Sequence, residues 1–138
     1  MKLLKIIFFL FFTSSNLFAN TSYFNEGLIF YENKEFDKAK FKFEQDIVFN
    51  PKNEKSYLYL SKIFSSQKQK ELEEKNLNTV ILLNPKNEEA IFLLTLLKIR
   101  QSDYSGSEKL IKHFKKVCEN LCKREAELNI KLKNLQTK

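Results

Sequence analysis

The chain has 138 residues, of which 43% are hydrophobic and 30% are charged, and this balance excludes both a disordered chain and an integral membrane bundle. Two glycines, two prolines and no tryptophan leave too few turn residues for an all-β fold, so we predict one domain built of long helices. The net charge of +7 favours solubility and weak attraction to anionic surfaces, but the charges are interleaved, and we predict no nucleic-acid binding.

Residues 1–19 have the pattern of a secretory signal peptide. Lys2 and Lys5 give a positive start, residues 6–12 form an unbroken apolar run, and Ala19 supplies the small side chain that the peptidase needs. Because the run is shorter than the roughly 20 residues that span a bilayer, we predict cleavage after Ala19, with an uncleaved membrane anchor as the alternative. The mature chain is then exported to a bacterial periplasm or cell envelope and has no transmembrane span.

The segment Asn-Pro-Lys-Asn-Glu occurs at residues 50–54 and again, 34 residues later, at residues 84–88. Its proline cannot continue a helix, and its second asparagine can cap the helix that follows. Its glutamate falls in the first turn of that helix, where the helix dipole favours a negative charge. Each copy therefore predicts the end of one helix and the start of the next. The coarse prediction is seven helices, at residues 21–33, 36–49, 54–66, 69–83, 88–100, 104–118 and 121–136.

The 34-residue period and the residue types within it resemble the tetratricopeptide repeat (TPR) family. In the first repeat the matching residues are Tyr23, Gly27, Phe30, Phe36, Ala39, Phe43 and Pro51. Glu26 departs from the family pattern there, and Glu73 in the second repeat occupies a position that is small in the family. Glycine inside a helix costs roughly 1 kcal/mol relative to alanine, so Gly27 indicates a close approach of the paired helices.

The resemblance implies an all-α fold of three helical hairpins, at residues 20–53, 54–87 and 88–121, stacked as a short right-handed superhelix. The last hairpin of such a stack leaves an apolar face that must be covered. We therefore predict that residues 122–138 form a C-terminal capping helix. Its apolar stripe consists of Leu121, Leu128, Leu132 and Leu135.

TPR stacks resemble one another in binding partners on the concave face, which the first helix of each repeat lines. Mapped onto this chain, the resemblance implies a partner-binding surface of Phe24, Leu28, Tyr31, Tyr59, Lys62, Phe92, Leu96 and Arg100. The chaperone-binding members clamp a terminal carboxylate with Lys, Asn and Arg, and here those positions hold Phe24, Leu28, Tyr59, Glu89 and Leu93. Binding of acidic chaperone tails is therefore disfavoured. In the alternative interpretation, Phe92, Leu93 and Leu96 are core residues covered by the capping helix.

Cys118 and Cys122 are the only cysteines, and in an oxidising compartment such a pair suggests a disulfide. On one continuous helix their side chains would be poorly aimed for a bond, but a helix break near Glu119 and Asn120 would allow it. Two free thiols are the alternative. The spacing to His113, the only histidine, matches no common zinc pattern, and no phosphate-binding loop or catalytic triad is recognisable. We expect no metal, no cofactor and no enzymatic activity.

We therefore predict a non-enzymatic protein–protein interaction module of the cell envelope, which binds a partner peptide or helix on its concave face. The alternative is a permanent accessory subunit of a secretion, outer-membrane or peptidoglycan complex.

Overall fold

The structure is a computed structural model that describes residues 22–136, with side chains up to residue 134. The predicted signal peptide, residues 1–19, lies outside the described residues. The described part is helical and contains no strand, which confirms the predicted all-α class. Its α-helices are α1 (Tyr23–Glu32), α2 (Phe36–Phe49), α3 (Glu54–Ser66), α4 (Lys70–Leu83), α5 (Glu88–Arg100), α6 (Tyr104–Val117) and α7 (Glu125–Gln136). A short 3-10 turn, Cys122–Arg124, precedes α7.

Polar side chains cap the starts of α1, α3, α5 and α6. The side chains of Asn53 and Asn87, which the sequence predicts as caps, accept hydrogen bonds from first-turn N–H groups of α3 and α5. Ser22 and Asp103 cap α1 and α6 in the same way. Each cap satisfies a backbone donor that would otherwise lack a partner inside the helix. For α1 to α6, every observed bound lies within two residues of the prediction.

The 34-residue period is also visible in the backbone. Lys34, Lys68 and Ser102 lie in the turns inside the three hairpins and have φ angles of 62°, 59° and 60°. These are left-handed conformations, which carry a steric cost for a residue with a Cβ atom. Each hairpin therefore reverses direction through the same backbone geometry without using glycine.

Consecutive helices pack against each other along the described chain. The buried apolar residues form three clusters. The first joins α1, α2 and α3, the second joins α3, α4 and α5, and the third joins α5, α6 and α7. The first helices of the later hairpins, α3 and α5, bury most of their apolar residues, whereas α2, α4 and α6 keep one face exposed. We call α1, α3 and α5 the inner helices and α2, α4 and α6 the outer helices.

Gly27 is the close-approach position of the first hairpin. A Cβ atom placed on it would lie 2.6 Å from a ring carbon of Phe43, which is itself fully buried. From the sequence, we predict that the small residue lets the two paired helices approach closely. The structure shows that the ring of Phe43 fills the space next to Gly27. Glycine at this position therefore lets a large aromatic ring pack directly on the backbone of α1.

Glu73 fits the fold in a way that the sequence did not indicate. It is only 4% exposed, although the family pattern has a small residue at this position. Its Oε1 atom accepts a hydrogen bond from Nη2 of Arg100 at 2.7 Å. Burying a carboxylate is costly unless a charged partner compensates it. The arginine of α5 thus makes the larger side chain acceptable on α4.

Acidic side chains tie the ends of the repeats. Glu54 Oε1 accepts hydrogen bonds from Nδ2 of Asn84 (2.8 Å) and Nδ2 of Asn87 (3.4 Å), at the end of the same repeat. One repeat later, the Glu88 carboxylate accepts from the backbone N–H groups of Leu121 (2.7 Å) and Asn120 (3.1 Å). These donors lower the pKa of Glu88 below its ordinary value, the Leu121 bond most strongly. The two glutamates of the repeated pentapeptide therefore hold the following loops in place.

The first repeat is joined to the second by a different residue. Asp46 on α2 is buried, and its carboxylate accepts from Oγ of Ser56 (2.5 Å), Nδ2 of Asn53 (2.6 Å) and Nδ2 of Asn50 (3.0 Å). A buried carboxylate with three donors is well satisfied. The network fixes the end of α2 against the start of α3.

The capping segment packs on the third hairpin. Leu128 and Leu132 are buried against residues of α5 and α6, and Leu121 is half-buried beside them. The side chain of Leu135 lies outside the described side chains. The segment starts as the 3-10 turn rather than as one continuous helix from residue 121. Among residues 22–136, no helix has both the length and the apolar character needed to cross a membrane.

Candidate functional site

The inner wall, formed by the inner helices, brings together the aromatic residues that the sequence predicts for it in the first two repeats. The ring of Tyr59 on α3 lies 6.0 Å from that of Phe24 and 5.0 Å from that of Tyr31, both on α1. It also stacks on the buried ring of Phe43 at 5.2 Å. Leu28 belongs to the same cluster. Apart from Phe43, these side chains remain partly exposed, so they form a surface as well as a packing layer.

Lys62 borders this aromatic cluster. Its Nζ atom lies 4.7 Å from the centroid of the Tyr59 ring and 2.8 Å from Oε1 of Glu89. The ammonium group therefore interacts with an aromatic face and a carboxylate at once. Since both partners are on the inner wall, the charge of Lys62 is oriented along the wall rather than away from it.

A depression of about 340 Å³ follows the aromatic cluster along the wall, between α3 and α5. Three serines, one lysine, one acid and one leucine surround it, and these lining residues are Ser61, Lys62, Ser65, Ser66, Glu73 and Leu93. Of these residues, only Lys62 belongs to the predicted partner-binding set, although the repeat positions also map Ser65, Ser66 and Leu93 to the concave face. Ser61 and Ser65 are one helical turn apart, and this spacing was the available signal for a shared face. The acid comes from α4, and only the fold shows that it reaches this wall.

Phe92 of the third repeat is not accessible to a partner, so the prediction that it contacts one is wrong. Phe92 is 1% exposed and packs on Phe114 with ring centroids 6.1 Å apart. The guanidinium carbon of Arg124, which precedes α7, lies 3.6 Å from the Phe92 ring centroid. The alternative interpretation, a core residue under the capping segment, therefore describes Phe92.

Leu96 and Arg100 are also close to the capping helix. They line a depression of about 310 Å³ together with Ile99 of α5 and with Lys131 and Asn134 of α7. Arg100 is bound to Glu73, as described above, and stays about half exposed. The capping helix thus occupies the part of the inner wall that the third repeat would contribute. The open part of the wall lies mainly on the first two repeats, with Glu89 and Leu93 of α5 at its edge.

The junction between α6 and α7 contains the two cysteines. α6 ends at Val117, and the chain bends at Glu119 and Asn120, where the sequence required a break for a disulfide. The Sγ atoms of Cys118 and Cys122 are bonded at 2.18 Å, with their Cα atoms 5.2 Å apart. The oxidation of this pair in the cell stays a prediction, which the mass of the intact chain before and after reduction would test.

The described residues contain no group of three metal-ligating side chains. His113 is half-buried on α6. A charge pair also links α4 and α5, where Lys98 Nζ is 2.6 Å from Glu74 Oε1. The hydrogen bond with Lys98 lowers the pKa of Glu74, and it raises the pKa of Lys98 in turn. This pair keeps both groups charged and holds two helices together.

The comparisons with known proteins concern the fold. No family model and no curated protein matches this chain. Among solved structures, it is similar to the first TPR domain of Spaghetti (RPAP3) bound to the HSP90 peptide SRMEEVD, with a TM-score of 0.73, 14% identity, and coverage of 83% of this chain and 90% of that one. It is also similar to the Sgt2 TPR domain from Aspergillus fumigatus, with a TM-score of 0.69, 20% identity, and coverage of 84% and 80%. The chain therefore has a TPR-type fold.

Proposed function

We propose that this chain is a non-enzymatic interaction module that binds a peptide or helix of a partner protein on its inner wall. The observation that carries the proposal is the partly exposed aromatic cluster of Phe24, Tyr31 and Tyr59. Aromatic side chains grouped on an exposed wall are typical of partner surfaces. The RPAP3 domain, which has the same fold, is bound to a peptide, and this supports the proposal.

The character of the wall indicates what its partner presents. The aromatic cluster and Leu28 favour apolar side chains at one end of the bound segment, and the depression lined by serines, Lys62 and Glu73 favours a polar group at the other. The carboxylate-clamp positions of chaperone-binding TPR domains hold Phe24 and Tyr59, among others. The expected partner is therefore an internal segment or an amphipathic helix rather than an acidic chain terminus.

The test is photo-crosslinking in living cells. Replacing Tyr31 by p-benzoylphenylalanine keeps an aromatic side chain on the inner wall, and the same replacement of Tyr104, exposed at the start of α6, is the matched control. We expect the reagent at position 31 to capture a defined polypeptide that the reagent at position 104 does not. Capture of the same products at both positions, or of none at position 31, would refute this assignment of the surface.

We propose further that the chain acts in a bacterial cell envelope. The support is the pattern of residues 1–19, with two lysines, an apolar run and Ala19. Expression in a bacterial host with a C-terminal tag should give a chain that starts at Asn20, as measured by intact mass. A chain that retains residues 1–19 and stays in the cytoplasmic fraction would contradict export.

A permanent accessory subunit of an envelope complex is the second candidate function. Ile29 on α1 favours it, because this side chain is exposed whereas Ile63, at the same position of the second repeat, is buried by the preceding hairpin. An exposed apolar end of this kind suits a lasting subunit contact. A permanent subunit would co-purify with its complex in a fixed ratio, and the isolated chain would self-associate. A module with an exchangeable partner would be monodisperse alone.

A further inference from the structure

The outer helices carry a regular surface that the proposed function does not use. At repeat positions 22, 25 and 29, every residue of the three repeats is exposed. These nine residues are Phe41, Glu44 and Val48 on α2, Lys75, Asn78 and Leu82 on α4, and Lys109, Lys112 and Lys116 on α6. Spacings of three and four residues place each trio on one face of its helix. We call these nine residues the outer wall.

The apolar members of the outer wall are unusually exposed. Leu82 is 81% exposed, Val48 is 74% exposed and Phe41 is 57% exposed. Val48 and Leu82 occupy the same repeat position on neighbouring outer helices, so the fold presents them side by side. Exposing large apolar side chains to water to this extent is unfavourable in free energy unless another surface buries them.

The charges of the outer wall are almost all positive. It contains four lysines and one acid, Glu44, which gives a net charge of +3. None of the lysines forms a salt bridge within the described residues, in contrast to Lys62 and Lys98 on the inner helices. The ammonium groups of Lys109, Lys112 and Lys116 follow one another along α6 as an exposed row.

We propose that the outer wall docks on the surface of an anionic lipid bilayer. The lysines match the negative charge of the lipid headgroups, and Val48 and Leu82 enter the boundary between headgroups and acyl chains. A second copy is a poor occupant, since two walls of charge +3 repel each other. A soluble polyanion would use the lysines but would leave the apolar side chains in water. An anionic bilayer uses both features of the wall.

This docking leaves the inner wall free, because the two walls belong to different helices. The proposal does not rest on the proposed function. It assigns to the chain a bilayer-facing side and a partner-facing side.

The test is co-sedimentation of the purified full-length chain with vesicles of phosphatidylcholine, with or without phosphatidylglycerol. We expect binding to the vesicles that contain phosphatidylglycerol, weakened by added salt, and little binding to phosphatidylcholine alone. The triple variant K109E/K112E/K116E should lower partitioning about 100-fold, since each lysine near an anionic surface contributes about fivefold. The double variant V48S/L82S should lower it about tenfold.

The controls separate the outer wall from net charge and from the N-terminal residues. The triple variant K34E/K68E/K70E changes three exposed lysines elsewhere by the same charge and should retain most of the binding. Every variant has the same N-terminal residues, so differences between variants report the outer wall. Equal loss in both triple variants, unchanged binding in V48S/L82S, or no binding of the parent chain to anionic vesicles would each overturn the proposal. Circular dichroism would verify that all variants are folded.

Discussion

Gly27 has a hydrogen atom where other residues have a Cβ, and the ring of Phe43 fills the adjacent space. Replacing Gly27 by alanine should therefore lower the free energy of unfolding by about 1–3 kcal/mol, although alanine is the better helix former. Ser61→Ala, at the same position of the second repeat, removes a hydroxyl bonded to the Leu58 carbonyl and should cost less than about 1 kcal/mol. Urea unfolding measures both, and a stabilised Gly27→Ala would contradict the packing.

The turn residues offer the opposite effect at the same scale. Lys68 adopts a φ of 59°, a conformation that glycine adopts without steric cost. Lys68→Gly should raise the free energy of unfolding by roughly 0.5–1 kcal/mol, because the relief of strain exceeds the added flexibility of the unfolded chain. Lys70→Gly, two residues later in the first turn of α4, should lower it by up to about 1 kcal/mol. Thermal unfolding of the two variants should shift in opposite directions.

At the scale of elements, the capping helix depends on a narrow apolar stripe. Leu128 is fully buried between α5, α6 and α7, whereas Ile130 on the same helix is exposed. Leu128→Ala should cost about 2–4 kcal/mol, the usual range for a buried leucine, and Ile130→Ala should change the stability by less than about 0.5 kcal/mol. Denaturant midpoints would show the difference. Similar losses in both variants would mean that α7 packs through another face.

The junction before α7 should respond to pH through Glu88. Bonds from the Leu121 and Asn120 backbone lower the pKa of Glu88 in the folded chain, so its contribution to stability is present above the unfolded-state pKa. The contribution is lost as the pH falls through the lower, folded-state pKa. The stability difference between the parent chain and Glu88→Gln should thus be largest near neutral pH and shrink below about pH 5. The matched control is Glu108→Gln, which removes an exposed carboxylate from α6.

The helices were predictable because local signals fix their ends. Prolines, asparagine caps and the repeated pentapeptide act within a few residues, so the bounds of α1 to α6 follow from the sequence. The start of the capping segment was not predictable in the same way. The residues before its 3-10 turn donate hydrogen bonds to the carboxylate of Glu88, which lies more than thirty residues earlier in the chain. Long-range contacts of this kind have no local sequence pattern.

The same division applies to the candidate site. The repeat positions correctly placed Phe24, Tyr31 and Tyr59 on the inner wall, because each residue occupies a fixed position of a regular helix. It misplaced Phe92, whose burial is completed by Arg124 from a segment outside the repeat pattern. It also treated Glu73 as a misfit, since the compensating arginine is 27 residues away on another helix. The position of a residue within its repeat could be predicted from the sequence, whereas the pairing of side chains between a repeat and its neighbours could not.

At the scale of the whole molecule, the stability should be uneven along the stack. The cluster that joins α1, α2 and α3 shares no residue with the other two clusters, whereas those two share Ile81, Leu93 and Leu110. In α1, Gly27 is the only fully buried residue. We expect amide hydrogens of α1 and α2 to exchange with solvent faster than those of α4 to α6, because the end of the stack opens at a lower free energy. Hydrogen-exchange mass spectrometry would measure this.

A variant extends the same test. Leu128→Ala should accelerate exchange in α5, α6 and α7 and leave α1 unchanged, since its contacts end at the third hairpin. Uniform acceleration along the chain would instead indicate one cooperative unit.

The glutamate ties have a consequence for how such a molecule can grow. In the second repeat, Glu54 at the first position holds Asn84 and Asn87 at the end of the same unit. The hydrogen-bond acceptor and its donors therefore lie within one repeat and are encoded together. Tandem duplication of residues 54–87 would give a longer protein whose additional unit carries this tie with it, but Glu73 of the first copy would then meet Ser66 of the second copy in place of Arg100.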